Sequence, residues 1–531
     1  MQGALSGPIL ATLLSSAIFG QSSPVAFDSA DVHVSPPSKS PAMRGGALRG
    51  GRYEVRTATM VDLISMAYAM DPDRILGGPS WLDWDRFDVL AKAPQVTTQE
   101  NLNLMVQTLL ADRFKLAVHK ATKPMPAFVL TAGKGKPKMK DVTKEVTKEA
   151  SGSGQSGCQD VPQNPSPGAV RYQVVSCHNV TMATFAGVLR DVGGGTYLAD
   201  PVVDQTGLGG AWDFELRWTA RNRLAQAGPD GISLFDAVDK QLGLKLEAQK
   251  TPLPVLIVDS VNQTPTPNDP GVTTKIPPPP PTEFEVANIK RSPPEAKGRN
   301  DRMQNGRLDL QNYTLKRLIQ LAWDLGNNDD MVVGIPKSAE STRYDVVAKV
   351  ATTGPVNAQD VDIDTLRLML QGLLAERFAL KVHPEDRPVS AYTMTAGKQT
   401  KLQKADPQNR TNCKSGSGTN PMLNRLITCQ NMSTTQFAAM LENLASGYVR
   451  APVKDATGLE GYWDFKVSFS GVGLLPGARF DPNETSEASD PNGSLTLPEA
   501  LQKQLGLKLE LEKRPIPVLV VDHVDDKPAE N

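Results

Sequence analysis

Four cysteines in 531 residues are too few for a disulfide-dense scaffold, and none stands in the CxxC spacing of a zinc or redox site. Charge of one sign is not in excess either. Lys plus Arg number 57 against 58 Asp plus Glu, which excludes a strong overall pull toward nucleic acid or an anionic membrane. Aromatic residues reach 5% and histidines number five. Past the N-terminus no apolar run approaches the roughly 18 residues of a membrane span. The glycine clusters "RGGALRGGR" (44–52) and "VGGGTY" (192–197) form neither GxGxxG nor a P-loop. No Ser or Cys nucleophile motif recurs. The sequence therefore assigns no catalytic residue, cofactor or metal.

Hydrophobic residues make up 39% and charged residues 22%, the balance of a folded chain. The length predicts more than one domain. The first stretch, "MQGALSGPILATLLSSAIFGQSSP", is apolar or small over 9–19 and offers small residues at Gly20 and Ser22. This pattern predicts a signal peptide over 1–22, although no Lys or Arg precedes the apolar run. The expected location is periplasmic or secreted, with no integral membrane span after signal removal.

The octapeptide "KQLGLKLE" occurs twice, at 240–247 and at 503–510. Further pairs keep the same order: "LLADRFKLAVH" (109–119) with "LLAERFALKVH" (373–383), and "DQTGLGGAWDFEL" (204–216) with "DATGLEGYWDFKV" (455–467). "PVLIVDSV" (254–261) likewise matches "PVLVVDHV" (517–524). This is a tandem duplication. The expected organisation is a first repeat unit over 25–261, a Pro-rich linker over 262–283, a second unit over 284–525 and a tail over 526–531. Five consecutive prolines at 277–281 predict an extended spacer that holds the units apart.

The fold class expected is α+β, each unit consisting of two small strand–helix–strand subdomains with mixed or antiparallel sheets. "RYEVRTA" and "RFKLAVH" alternate as strands, whereas "TMVDLISMAYAM" has helical spacing with Thr59 as its cap, and Thr314 repeats that cap. "CHNVTMATFAGVL" and "CQNMSTTQFAAML" run a strand into a capped helix. The repeated octapeptide reads as a helix end, a left-handed glycine stop at Gly243 and Gly506, and a strand start with Leu244 and Leu246 inward.

Together "GGPSWLDWDRFDVLAKA" (77–93), "LLADRFKL" (109–116), "PVVDQTGLGGAWDFEL" (201–216), "SLFDAVDKQLGLKLE" (233–247) and "PVLIVDSV" (254–261) resemble a soil-associated bacterial family, domain of unknown function 3738, abundant in acidobacteria. The second unit departs at "VGIPKSAESTRYDVVAKV" (333–350). The resemblance implies an exported protein of undefined activity and supplies no catalytic residues. The order of elements is also similar to small modules at the periplasmic ends of secretins and TonB-dependent receptors, a fold-level analogy.

Cys158 with Cys177, and Cys413 with Cys429, give one pair per unit, each expected to bridge a Gly/Ser-rich loop and the strand before a helix. A metal reading is weakened by Gln430 standing where the first unit has His178. His119 and His383 occupy equivalent places, read as strand ends. The recurring carboxylates are Asp88/Asp345, Asp204/Asp455, Asp213/Asp464 and Asp259/Asp522, with turn and strand-end roles expected. A pair of them acting on a glycan is the catalytic alternative. The basic stretches around Arg44, Arg49 and Arg52, and "KGRNDR" (297–302), are read as solvated loops, with contact to an anionic partner as the alternative.

The function expected is that of a non-catalytic binding or scaffolding protein acting on an unknown protein or cell-envelope component, with free sheet edges as one means of recruitment. The alternatives are a polymer hydrolase that uses the recurring aspartates, and a regulatory partner of a membrane protease.

Overall fold

A computed structural model describes residues 25–529, apart from segments at 37–42, 95, 144–155, 164–169, 199, 225–226, 279–282, 297, 305, 327, 351–360, 362, 419–422 and 473–492. The expected signal peptide and most of the proline run lie outside the described residues.

In the first unit, strands Ser29–Val34, Arg86–Lys92, Arg52–Thr59 and Arg44–Arg49 form an antiparallel sheet in that spatial order. Alternation along Arg52–Thr59 buries Tyr53 and Val55. The strand stops at Thr59, whose hydroxyl accepts the Asp62 N–H while the Asp62 carboxylate accepts the Thr59 N–H. This reciprocal box starts helix Met60–Tyr68. Val55, Phe87, Val89, Leu63, Ile64, Leu110 and Phe114 fill the core between the sheet, this helix and helix Gln99–Phe114.

A second antiparallel sheet contains Lys140–Asp141, Trp212–Thr219, Tyr172–Val180 and Gly157–Asp160. Its core joins Val175, Phe185, Leu189, Leu216 and Trp218 to Leu234 and Val238 of the short helix that begins at Leu234. Helix Met182–Tyr197 runs straight through the glycine cluster at 192–197.

The two cores hang on one ribbon. Ala117–Ala132 pairs antiparallel with Leu244–Ser260 over 16 residue pairs. Leu130, Leu244 and Leu246 enter the second core at one end, and Leu256 and Val258 enter the first at the other. Short parallel strands, Val202–Asp204 and Ile75–Gly77, flank opposite ends. The unit is α+β as expected, but its halves share a mixed sheet that the sequence did not suggest. The repeated octapeptide supplies the turn into this ribbon. Gly506 has φ 72° and its Cα faces the Gln399 carbonyl so closely that a Cβ there would collide with it.

The second unit repeats the same three sheets in the same strand order. Where the first unit has a 3₁₀ turn at Ser80–Asp83, the second has helix Lys337–Ser341, at the point where the sequences depart.

Three expectations are corrected. "RFKLAVH" is not one strand: the helical stripe Leu109–Leu110–Phe114 carries the helix through Phe114, Lys115 closes it at φ 52°, and the strand starts at Ala117. His119 and His383 consequently lie near strand starts. The stretch from Arg44 is a hairpin strand rather than a loop. Nor does the chain leave the first unit at 262. Asn262 and Thr266 donate N–H groups to the Phe114 and Arg113 carbonyls (2.7 and 2.8 Å), and Val272 and Ile276 are buried. Asp525 and Ala529 repeat this docking on Phe378 and Arg377 (2.8 and 2.7 Å), so the tail belongs to the packing of the second unit.

The units also touch. Arg410 grips Asp83 through two bonds of 2.6 Å, Lys414 pairs with Asp73, and Thr411 N–H donates to the Ser80 carbonyl (3.1 Å). Arg44 reaches Asp364 (2.9 Å) and Asp324 (3.1 Å). The spacer expectation is thus replaced by docked units joined by charge pairs, of which Asp73 recurs as Asp330 while its partner Lys414 and the pair Arg410–Asp83 do not recur.

Candidate functional site

Four of the recurring aspartates share one local task. Each strand that leads into a capped helix carries a β-bulge, and the bulged residue is left-handed: Thr57 (φ 51°), Asn179 (φ 50°), Asn312 (φ 63°) and Asn431 (φ 47°). Each stands two residues before its cap, at Thr59, Thr181, Thr314 and Ser433. A bulge turns one N–H out of the ladder. That N–H donates to an aspartate on the neighbouring strand: Thr57 to Asp88 (2.8 Å), Asn179 to Asp213 (2.7 Å), Asn312 to Asp345 (3.0 Å) and Asn431 to Asp464 (2.7 Å). Ser35 and Ser292 hydroxyls add to Asp88 and Asp345. These carboxylates hold backbone.

Asp204 and Asp455 hold turns. Asp204 accepts the N–H and hydroxyl of Thr206 (2.9 and 2.7 Å), and Asp455 accepts the Thr457 N–H (2.9 Å). Partial burial pushes the Asp455 carboxyl up, but the Thr457 N–H and the hydroxyls of Thr434, Thr435 and Thr457 outweigh it and hold the group below the usual carboxylate range. Asp204 lies on the ribbon sheet and Asp213 on the second antiparallel sheet.

The histidines do meet recurring carboxylates. His119 Nδ1 is 2.8 Å from Asp259, and His383 Nδ1 is 2.9 Å from Asp522, across the two ribbons. Glu385 also approaches His383 (3.7 Å). The Asp522 hydrogen bond raises the His383 pKa above its ordinary value. Both pairs are about half exposed and sit at the base of a ribbon. A His–Asp pair can move a proton, but catalysis needs a third group to act on, and no serine or cysteine joins either pair in the hydrogen bonds of the described residues.

Cys158 lies directly opposite Cys177, and Cys413 opposite Cys429, on paired strands; both pairs are disulfides. The loop-to-strand expectation becomes strand-to-strand, because Cys158 lies in edge strand Gly157–Asp160 and Cys413 in edge strand Asn412–Ser417. Closing loops of this length contributes about 3 kcal/mol each in the chain-entropy model. Among the described residues no group of three or more His, Cys, Asp or Glu side chains is gathered to hold a metal ion.

Two cavities draw mostly on residues that do not recur, although Thr314, Arg343 and Gly77 have counterparts in Thr59, Arg86 and Gly334. One of about 570 Å³ lies where the units meet, walled by Gly77, Gly78 and Trp84 on one side and by Asn409, Arg410 and Met440 on the other. The other, of about 490 Å³, lies within the second unit and is basic. Comparing the copies with each other could not reveal either, since that comparison selects residues that stay the same. For the basic cavity a signal did exist, in Arg299, the first of the two arginines of "KGRNDR".

The fold and these sites define a tandem α+β protein whose shared residues serve its framework. Residues 61–261 and 316–524 match the family model described as protein of unknown function (DUF3738), and the chain belongs to that family, with two copies of its domain. No curated protein and no solved structure gives a significant match.

Proposed function

We propose that this is an exported, non-catalytic binding protein. The observation that carries the reading is the shared fate of the recurring aspartates. Asp88, Asp213, Asp345 and Asp464 accept bulge amides, and Asp204 and Asp455 accept turn amides. These six duplicated carboxylates thereby serve folding, and the cavities draw mainly on residues that differ between copies. Asp455, held ionised below the usual range, is a poor proton donor near neutral pH, which counts against an acid role on a glycan. Export is supported by the apolar N-terminus and by two disulfides, which persist in oxidising compartments.

The test has two arms. Incubation of purified protein with cell-envelope polymers should release no product. Hydrolysis that disappears in Asp204→Asn or Asp455→Asn, with the fold intact, overturns the reading. N-terminal sequencing of natively produced protein should begin near Ser23; a cytosolic product that retains Met1 overturns the export.

A further inference from the structure

We propose that the basic cavity of the second unit is a binding site for a phosphate-bearing small molecule. Arg299, Lys316, Arg317 and Arg343 line it against the single carboxylate of Asp329. The guanidinium bonds go to neutral groups. Arg317 donates to Gln320 Oε1 (3.0 Å) and the Gly326 carbonyl (2.6 Å), Arg343 donates to the Asn312 carbonyl (3.1 Å), and Arg299 lies over the Tyr313 ring (5.7 Å). Only Lys316 has a carboxylate in reach, Glu340 at 3.3 Å. Among the described residues, Arg299, Arg317 and Arg343 form no ion pair. Three guanidiniums thus share one pocket with no carboxylate paired to any of them. Asp329 and Asp301 act on Arg317 only from a distance, and burial followed by the Arg299 charge outweighs them and pushes Arg317 below its ordinary value. Forked guanidiniums match the oxygens of a phosphate group. The cavity is in the size range of small-molecule sites, with room for a group attached to the phosphate.

The first unit is the internal control. Its Arg86 donates to the Thr57 carbonyl (2.7 Å), as Arg343 does to that of Asn312. But Asp62 stands in the place of Arg317 and Val61 in that of Lys316. Asp62 caps its helix and faces Arg86, so that corner supplies its own anion. The second copy has lost that carboxylate and gained two cations.

The experiment is calorimetric titration of the full chain, at low salt, with inorganic phosphate and glucose 6-phosphate, and a flotation assay with phosphatidic acid vesicles. Wild type should bind one equivalent of a phosphate probe, and Arg317→Asp should weaken it at least about tenfold. That variant restores the first unit's residue and its capping box, so the melting temperature should hold. Arg299→Ala provides a second reading if Arg317→Asp does not fold. Vesicle binding that Arg317→Asp removes assigns the pocket to a lipid headgroup phosphate; solution binding assigns it to a soluble ester. No binding by wild type to any probe, or binding unchanged in both variants, overturns the proposal. The site does not depend on whether the chain is catalytic, so failure here leaves the binding reading to the hydrolysis assay.

Discussion

Pro124 faces Pro252 directly across the ribbon of the first unit, and Pro388 faces Pro515 across that of the second. Phe128 N–H, four residues on from Pro124, bonds outward to the Pro201 carbonyl, which fixes the even-numbered residues from Thr122 to Phe128 as those whose amides point away from the partner strand. Pro126 and Pro254 share that orientation. The prolines therefore remove no rung of the ladder. They remove the donors that an outside strand would use, along the stretch between the two short flanking strands. Recruitment by sheet-edge pairing, one means expected from the sequence, is blocked along these edges.

Restoring those donors should expose the edge. Pro124→Thr with Pro126→Thr is expected to leave the fold intact and to produce concentration-dependent self-association in analytical ultracentrifugation. A monomer at every concentration would show that the prolines do not guard this strand.

The bulge clamp makes a stability prediction. Asp213→Ala leaves the partly buried Asn179 N–H without its acceptor and should cost about 1–3 kcal/mol in urea denaturation. Asp213→Asn keeps an oxygen in place and should cost less. Asn179→Gly should be tolerated, since glycine adopts the observed φ of 50° freely. A cost for Asn179→Gly as large as that for Asp213→Ala would place the stabilisation in the asparagine side chain instead.

The clamp also marks where reading the sequence stopped. Caps, glycine stops and strand alternation are local, and Thr59, Thr314, Gly243 and Leu244 were legible because each acts within a turn of its own position. The partnership of Asp213 with Asn179 needs strand register and a bulge, neither of which a single strand announces. A weaker signal was present: Asn179, Asn312 and Asn431, residues that tolerate the left-handed region, each stand two places before a hydroxyl cap. The histidines were misplaced because "RF" continued a helix by its apolar stripe. Arg410 and Asp83 escaped notice because each is found in one copy only.

The pair His383–Asp522 gives a pH dependence with a definite sign. The folded pKa of His383 lies above 6.5, raised first by the hydrogen bond to Asp522. The pairing therefore contributes fully below the unfolded value and is lost as pH rises through the raised folded value. In an NMR titration of the five histidines, His383 should titrate above 6.5, and Asp522→Asn should bring it down. A midpoint unmoved by Asp522→Asn would assign the shift to Glu385 or refute it.

The contact between units predicts a salt-sensitive shape. Arg410 holds Asp83 in a forked pair and also donates to the Ile75 carbonyl, while Lys414 reaches Asp73. Forked Arg–carboxylate pairs are stronger than single contacts, and both members here are mostly shielded from solvent, at 17% and 21% exposure. Asp83→Ala removes one partner and leaves a guanidinium partly buried beside an empty place, an arrangement that favours separation over repacking. Small-angle scattering at low salt should show a larger radius of gyration for Asp83→Ala than for wild type. High salt should move wild type toward the variant by screening the more exposed Lys414–Asp73 pair. Each unit should still melt nearly as before, because the buried residues of its two cores and its ribbon lie within itself. Among the described residues, Trp84 is the one first-unit side chain packed onto a second-unit core. Cleavage at a protease site inserted within 279–282 separates tethering from docking: the halves should co-elute at low salt in the wild-type background and part in Asp83→Ala. Halves that part equally in both would show that the linker alone keeps the units together, and the cavity between them would then have no fixed walls.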